Sequence, residues 1–289
     1  MRRIFLVVVF IISLSAYCYA FDWKLLHEEA DRTDLQYITN KAKQDKSIEN
    51  LYILGLVRLN LHKDALASEA FNEILNLDPD NYQAKWGVAE VLRRQHSFIL
   101  SERVFNDIIA KHPDFSPAYI SLAYIKYLNC DFQGSYKLAV KVIEQGRSKV
   151  DISNFVRAYC IYAGNKGMIA HYGGPLSKVI NGTVVLSTLK KAQALQPDST
   201  AVLLGLGSFY LLAPSLAGGN IDNARQYLEK AVKIDPYLVD AYVRLAQVYK
   251  AKGDQGGYDK YMKIALDIDP KSPIALDIKS GKCRFICTP

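Results

Sequence analysis

The chain is poor in the residues from which reactive sites are built. Of 289 residues only five are histidine and five are cysteine. No two of His27, His62, His96, His112 and His171 stand at the spacing that puts metal ligands on one helix face. Cys-x-x-Cys-His is absent, which excludes covalent haem attachment. The sequence around Gly164-Asn-Lys-Gly167 lacks phosphate-loop spacing. Ser208, after Gly205-Leu-Gly207, has no second flanking glycine and lies in a helical pattern, so it is no nucleophile elbow. His62, His96 and His112 fall near helix ends, where a solvent-exposed or capping role is the plain expectation. No dense basic block stands out either: the chain has 36 basic and 29 acidic residues for a net +7, a mild excess. That pattern argues against a nucleic-acid partner. These absences give no catalytic residue, no metal and no cofactor, and they predict a protein that is not an enzyme.

Long apolar runs are also missing, with one exception. Ile4–Leu14 is apolar but only 11 residues long, against roughly 20 for a membrane-spanning helix. It follows Arg2-Arg3 and precedes the small-residue exit Ala16, Cys18, Ala20, the layout of a secretory leader. Cleavage is expected after Ala20, because Tyr17 is too bulky before Cys18 for a lipoprotein signal. The mature chain is then periplasmic or extracellular, has no transmembrane span and carries +5. Export makes disulfides chemically accessible, and Cys283 and Cys287 stand close enough in the tail to bridge. Cys130 and Cys160 read as small buried hydrophobes.

What is present is a period. Pro79 and Pro113 are 34 residues apart, as are Pro236 and Pro270, and each follows a helix-like run. Counting back from each proline brings small and large residues into phase. Residues 48–81 place Leu51, Leu54, Gly55, Ala67 and Phe71; residues 200–238 place Leu203, Leu206, Gly207, Ala224, Leu228 and Ala231; residues 239–272 place Tyr242, Leu245, Ala246, Met262 and Ala265. Looser copies fill 82–115 and 116–149. Small residues let paired helices approach, large ones fill the layer between, and the proline stops the second helix.

These units resemble the tetratricopeptide repeat over about residues 48–272. The resemblance implies an all-α fold, an α-solenoid of stacked helix-turn-helix units with a concave face. About six units are expected, preceded by a helical cap at 21–47 and followed by a helix and cysteine-containing tail at 273–289. In the register set by the prolines, Tyr52, Asn60, Trp86, Glu90, Arg93, Arg94, Tyr124 and Tyr127 point into the groove. Aromatic and arginine residues there suit a protein or peptide partner in the cell envelope. Packing between adjacent repeats explains the aromatics equally well.

The period slips twice. Pro113 to Pro197 spans 84 residues, two periods plus 16, and Pro197 to Pro236 spans 39. The surplus falls at Ala163–Thr183 and at 213–219, each expected as a loop between the two helices of a hairpin, with both loops on one edge. Within the first, Asn181-Gly-Thr183 matches a glycosylation acceptor or a turn with a helix cap. His171, Tyr172, Gly173, Gly174, Pro214, Gly218 and Gly219 mark this special surface. Pro214-Ser-Leu-Ala-Gly218-Gly219 resembles the break in the T component of tripartite ATP-independent periplasmic (TRAP) transporters. That resemblance implies a solute-binding-protein partner and makes homo-oligomerisation plausible. A small-ligand site or an enzyme built on His171 and Tyr172 is the third alternative to a plain exported scaffold.

Overall fold

A computed structural model describes residues 22–287; the expected leader and its cleavage site lie outside them. Every element among these residues is helical. After α1 (Trp23–Ala30) and α2 (Leu35–Gln44) come six hairpins. They are α3 (Ile48–Asn60) with α4 (Asp64–Leu77), α5 (Tyr82–Arg94) with α6 (Phe98–Lys111), and α7 (Ser116–Leu128) with α8 (Phe132–Gln145). Then follow α9 (Ile152–Tyr172) with α10 (Pro175–Leu195), α11 (Thr200–Leu212) with α12 (Ile221–Ile234), and α13 (Val239–Ala251) with α14 (Gln255–Ile268). Helix α15 (Pro273–Lys279) ends the series.

The helices start and stop for local reasons. Asn81, Asp131, Asp151, Asn220 and Asp254 each precede a helix and accept a hydrogen bond from its first free N–H groups. Asp78, Asp235 and Asp269 end their helices in extended conformation, as the proline after each requires. First helices pack against first helices of the next unit, α3 on α5, α5 on α7, α7 on α9, α9 on α11 and α11 on α13. They form the inner wall, and the second helices form the outer one. Phe71 of α4 wedges between two of them: a Cβ added at Gly55 or at Gly87 would stand 2.5 Å from its ring. Ala67, Ala70 and Ile74 complete that buried layer.

The surplus at 163–183 is not a loop. It lengthens α9 and α10 to 21 residues each, where the other paired helices have 13 or 14. Only Gly173 and Gly174 break the hairpin, and Pro175 starts α10 at a position where its missing N–H costs nothing. The expected Asn-Gly turn and Thr183 cap are helix interior. Asn181 donates to the Ser177 carbonyl and accepts from Lys166, and the Thr183 hydroxyl bonds back to the Val179 carbonyl. The seven or eight added residues per helix carry this tip about 11 Å past its neighbours. The second surplus is a built corner. Ser215–Ala217 forms one 3₁₀ turn, and Gly218 takes the left-handed conformation (φ +98°). A Cβ at Gly219 would collide with the Ala213 carbonyl oxygen. Both turns join a first to a second helix of stacked hairpins and so lie along one edge.

The solenoid winds tightly enough to touch itself. The His62 Nε2 meets the Asp235 carboxylate at 3.0 Å, and the His96 Nε2 meets Asp269 at 2.9 Å. Both pairs are 173 residues apart, and the two histidines, like the two aspartates, differ by one period of 34. His62, His96 and Cys130 occupy the left-handed turn position where the sixth hairpin has Gly253. A non-glycine residue there costs roughly 1 kcal/mol; in exchange the imidazoles reach across to the helix ends facing them. These histidines are paired rather than free in solvent or capping.

Candidate functional site

The inner wall carries the residues expected to hold a partner, and the protein itself occupies them. Helix α1 lies across the first helices. Its His27 contacts the Tyr52 hydroxyl (3.0 Å), its ring stands 5.5 Å from that of Trp86, and Trp23 packs edge-on against Phe115 at 5.3 Å. Asp31 accepts from Asn60 and Ser153, and Glu28 pairs with Arg147 at 2.8 Å. The segment expected as an end cap therefore fills the groove. Tyr52 and Trp86 are buried, and the Trp86 indole N–H donates to Ser121 Oγ (3.1 Å). Burial pushes the His27 imidazole below its ordinary value, with Arg157 adding to the effect and Asp151 and Asp31 opposing it.

A charged cluster sits behind this aromatic floor. Glu90 accepts from Arg93 (2.6 and 2.9 Å), from Arg94 (3.4 Å) and from Ser121 (2.8 Å). Burial alone would raise its carboxyl. The two guanidinium groups and the serine outweigh burial and hold it at about 2. Arg94 also reaches the Leu59 carbonyl and Asp64, and Arg93 lies 4.8 Å over the Tyr124 ring. Tyr124 in turn donates to Asp240 of α13 (2.9 Å). Burial lifts both the Tyr124 hydroxyl and the Asp240 carboxyl above their usual ranges. Every member of the expected set from Tyr52 to Tyr124 has an internal partner.

The C-terminal tail closes the other side. Cys283 and Cys287 are bridged, with Cα atoms 5.0 Å apart, and the loop they close points Phe285 into the interior, fully buried. There it meets Tyr127 at 5.7 Å. Arg244 and Gln247 hold the carbonyls of Phe285 and Ile286, and Asp277 accepts from the Phe285 N–H and from Arg284. Cys130 and Cys160 are half-buried, and burial pushes the Cys160 thiol up to about 12.

The insertion surface is differently placed. His171 is exposed and touches Tyr172 edge-on, and Tyr172 stacks on Phe132 and donates to the Arg284 carbonyl. A cavity of about 340 Å³ lies between the α7–α8 turn and the tip of α9, lined by Cys130, Phe132, Met168, Tyr172 and Ser177 among others. His171 does not line it. No three metal-ligating side chains are grouped among the described residues.

This architecture is an all-α solenoid of helix-turn-helix repeats. Residues 216–237 and 239–272 match the tetratricopeptide repeat family model, and the fold as a whole is that of a tetratricopeptide-repeat solenoid. Solved structures agree in fold. A tetratricopeptide repeat protein from Parabacteroides merdae is 12% identical at TM-score 0.51, over 88% of this chain and 94% of that one. The Cut9–Hcn1 hetero-tetramer of the APC/C is 15% identical at TM-score 0.56, over 87% of this chain and 46% of that one. The human IFIT1 dimer with m7Gppp-AAAA is 17% identical at TM-score 0.55, over 87% and 58%. No curated protein sequence matches.

Proposed function

We propose that this chain is an exported, non-enzymatic scaffold that binds another extracytoplasmic protein. The repeat fold supports a protein-binding role, and the Arg2–Ala20 pattern supports export. The partner surface is the outer edge of the first two hairpins rather than the groove. One observation carries this reading. Leu66 and Leu100 stand one period apart at the starts of α4 and α6, both exposed, and Ile99 beside Leu100 is 80% exposed. Apolar side chains left in water at equivalent places in adjacent repeats form a row suited to an apolar partner strip.

Affinity capture from the native envelope checks it, with wild type compared against Ile99→Asp/Leu100→Asp. The variant should lose the partner while keeping the wild-type melting temperature. Identical eluates would place binding elsewhere. A second reading, a solute-binding protein as partner, draws on the rigid corner at Pro214–Gly219, the element that resembles the TRAP T component. It requires a solute-binding protein in the eluate and its loss from a variant altered at Leu216 in that corner.

A further inference from the structure

The hairpin α9–α10 differs from the rest of the chain in charge. From Ile152 to Pro197 there is no aspartate or glutamate, whereas Arg157, Lys166, Lys178, Lys190 and Lys191 are all present. None of the five forms an ion pair within the described residues, whereas about half of the other described cations, 15 of 29, do. At 100° per residue, Leu176, Val179, Ile180, Thr183, Lys190 and Lys191 fall on one face of α10. That face looks away from the solenoid: Leu176 is 73% exposed, Val179 63% and Ile180 57%. It is apolar over its first two turns, where the tip projects beyond the neighbouring hairpins, and basic over its last two. The adjoining turn on the same edge adds Leu216, fully exposed.

We infer that the outer face of α10 docks on an anionic lipid bilayer surface. A helix face of this composition rests at the headgroup boundary with its aliphatic residues among the upper acyl carbons and its lysines against lipid phosphates. Charge decides between occupants. A second copy seated symmetrically on this face would bring Lys190 and Lys191 against their own duplicates with no carboxylate nearby to offset them. A bilayer rich in anionic headgroups offsets all of them. The contact is adsorption, not insertion across the membrane, since no described helix is long and apolar enough to span one.

Co-sedimentation of the purified full chain with vesicles tests this, using phosphatidylcholine alone and phosphatidylcholine mixed with phosphatidylglycerol. Binding should require phosphatidylglycerol and fall steeply with salt. Lys190→Ala/Lys191→Ala should weaken it about 30-fold, taking roughly 1 kcal/mol per charge. Leu176→Asp/Ile180→Asp should weaken it at least as much, and both variants should keep the wild-type helical circular dichroism and melting temperature. Equal binding to the two vesicle types would overturn the proposal. So would variants that sediment like wild type, which would assign adsorption to another segment, or a variant that loses a protein partner while the wild type never binds vesicles.

Discussion

The inner wall and the outer face of α10 each combine apolar and charged side chains, and put them to opposite uses. Inside, Trp86, Tyr52, Glu90, Arg93, Arg94 and Tyr124 are packed and paired within the molecule, by α1 on one side and by α13 on the other. Outside, Leu176, Val179 and Ile180 are exposed, and Lys190 and Lys191 below them have no acidic partner among the described residues. A concave wall of a repeat array is not a binding site by virtue of its shape. It is one only if the chain leaves it open, and here the first helix and the disulfide-bound tail close it. The difference yields a simple rule: changes inside should move stability, and changes on α10 should move binding alone.

The largest effect tests the inner half of that rule. Trp86→Ala removes a buried indole packed against His27 and Phe115, and should cost about 3–5 kcal/mol. Adding Arg94→Ala also strips the Leu59 carbonyl and Asp64 of their partner. The double variant should lose much of its helical signal at temperatures where wild type is folded. An intact fold with only binding lost would reopen the groove as a site.

A comparable effect should follow from pH. The Glu90 carboxyl is held at about 2 against an ordinary 4.5, so the folded state takes up its proton later than the unfolded state. The stability it contributes is present above pH 4.5 and disappears as pH falls toward 2. At 1.36 kcal/mol per unit this amounts to about 3 kcal/mol. Glu90→Gln starts less stable, because Arg93 loses its carboxylate, but should show a flatter loss between pH 5 and 2. Parallel denaturation profiles for the two proteins would refute the assignment.

A smaller effect belongs to the tail. Cys283→Ser/Cys287→Ser removes a short covalent loop, worth about 2 kcal/mol by chain entropy, and lets Phe285 leave Tyr127. Reduction of wild type should lower the melting temperature to that of the variant. A reduced protein with an unchanged melting temperature would mean that Arg244, Gln247 and Asp277 hold the tail without the bridge.

Much of the fold was legible because it is local. The prolines at 79, 113, 236 and 270 end helices by their own stereochemistry, and Gly55, Gly207 and Phe71 report how closely paired helices approach. The corner at 213–219 was legible for the same reason. The 163–183 surplus was misread because Gly-Gly-Pro signals a break without saying how far helix runs on either side. Gly164, Gly167 and Gly182 lie inside these helices despite their low helix propensity, so the packing of α9 against α10, which the sequence does not display, carries the helix through. The acid-free stretch from 152 to 197 was countable in the sequence, but which face its lysines shared was not.

The histidine–aspartate seam and the seating of α1 were out of reach for another reason. His62 and Asp235 are each ordinary residues at a turn and at a helix end, and only the winding of the three intervening hairpins brings them together. The sequence by itself determined a 34-residue α-helical repeat and the places where two hairpins depart from it, since each follows from contacts within one or two units. Only the tertiary structure decided that the inner wall is occupied and that the outer face of α10 is left uncovered by the described residues. Those outcomes depend on superhelical pitch, a small rotation per repeat that accumulates over the array until distant surfaces either meet or miss.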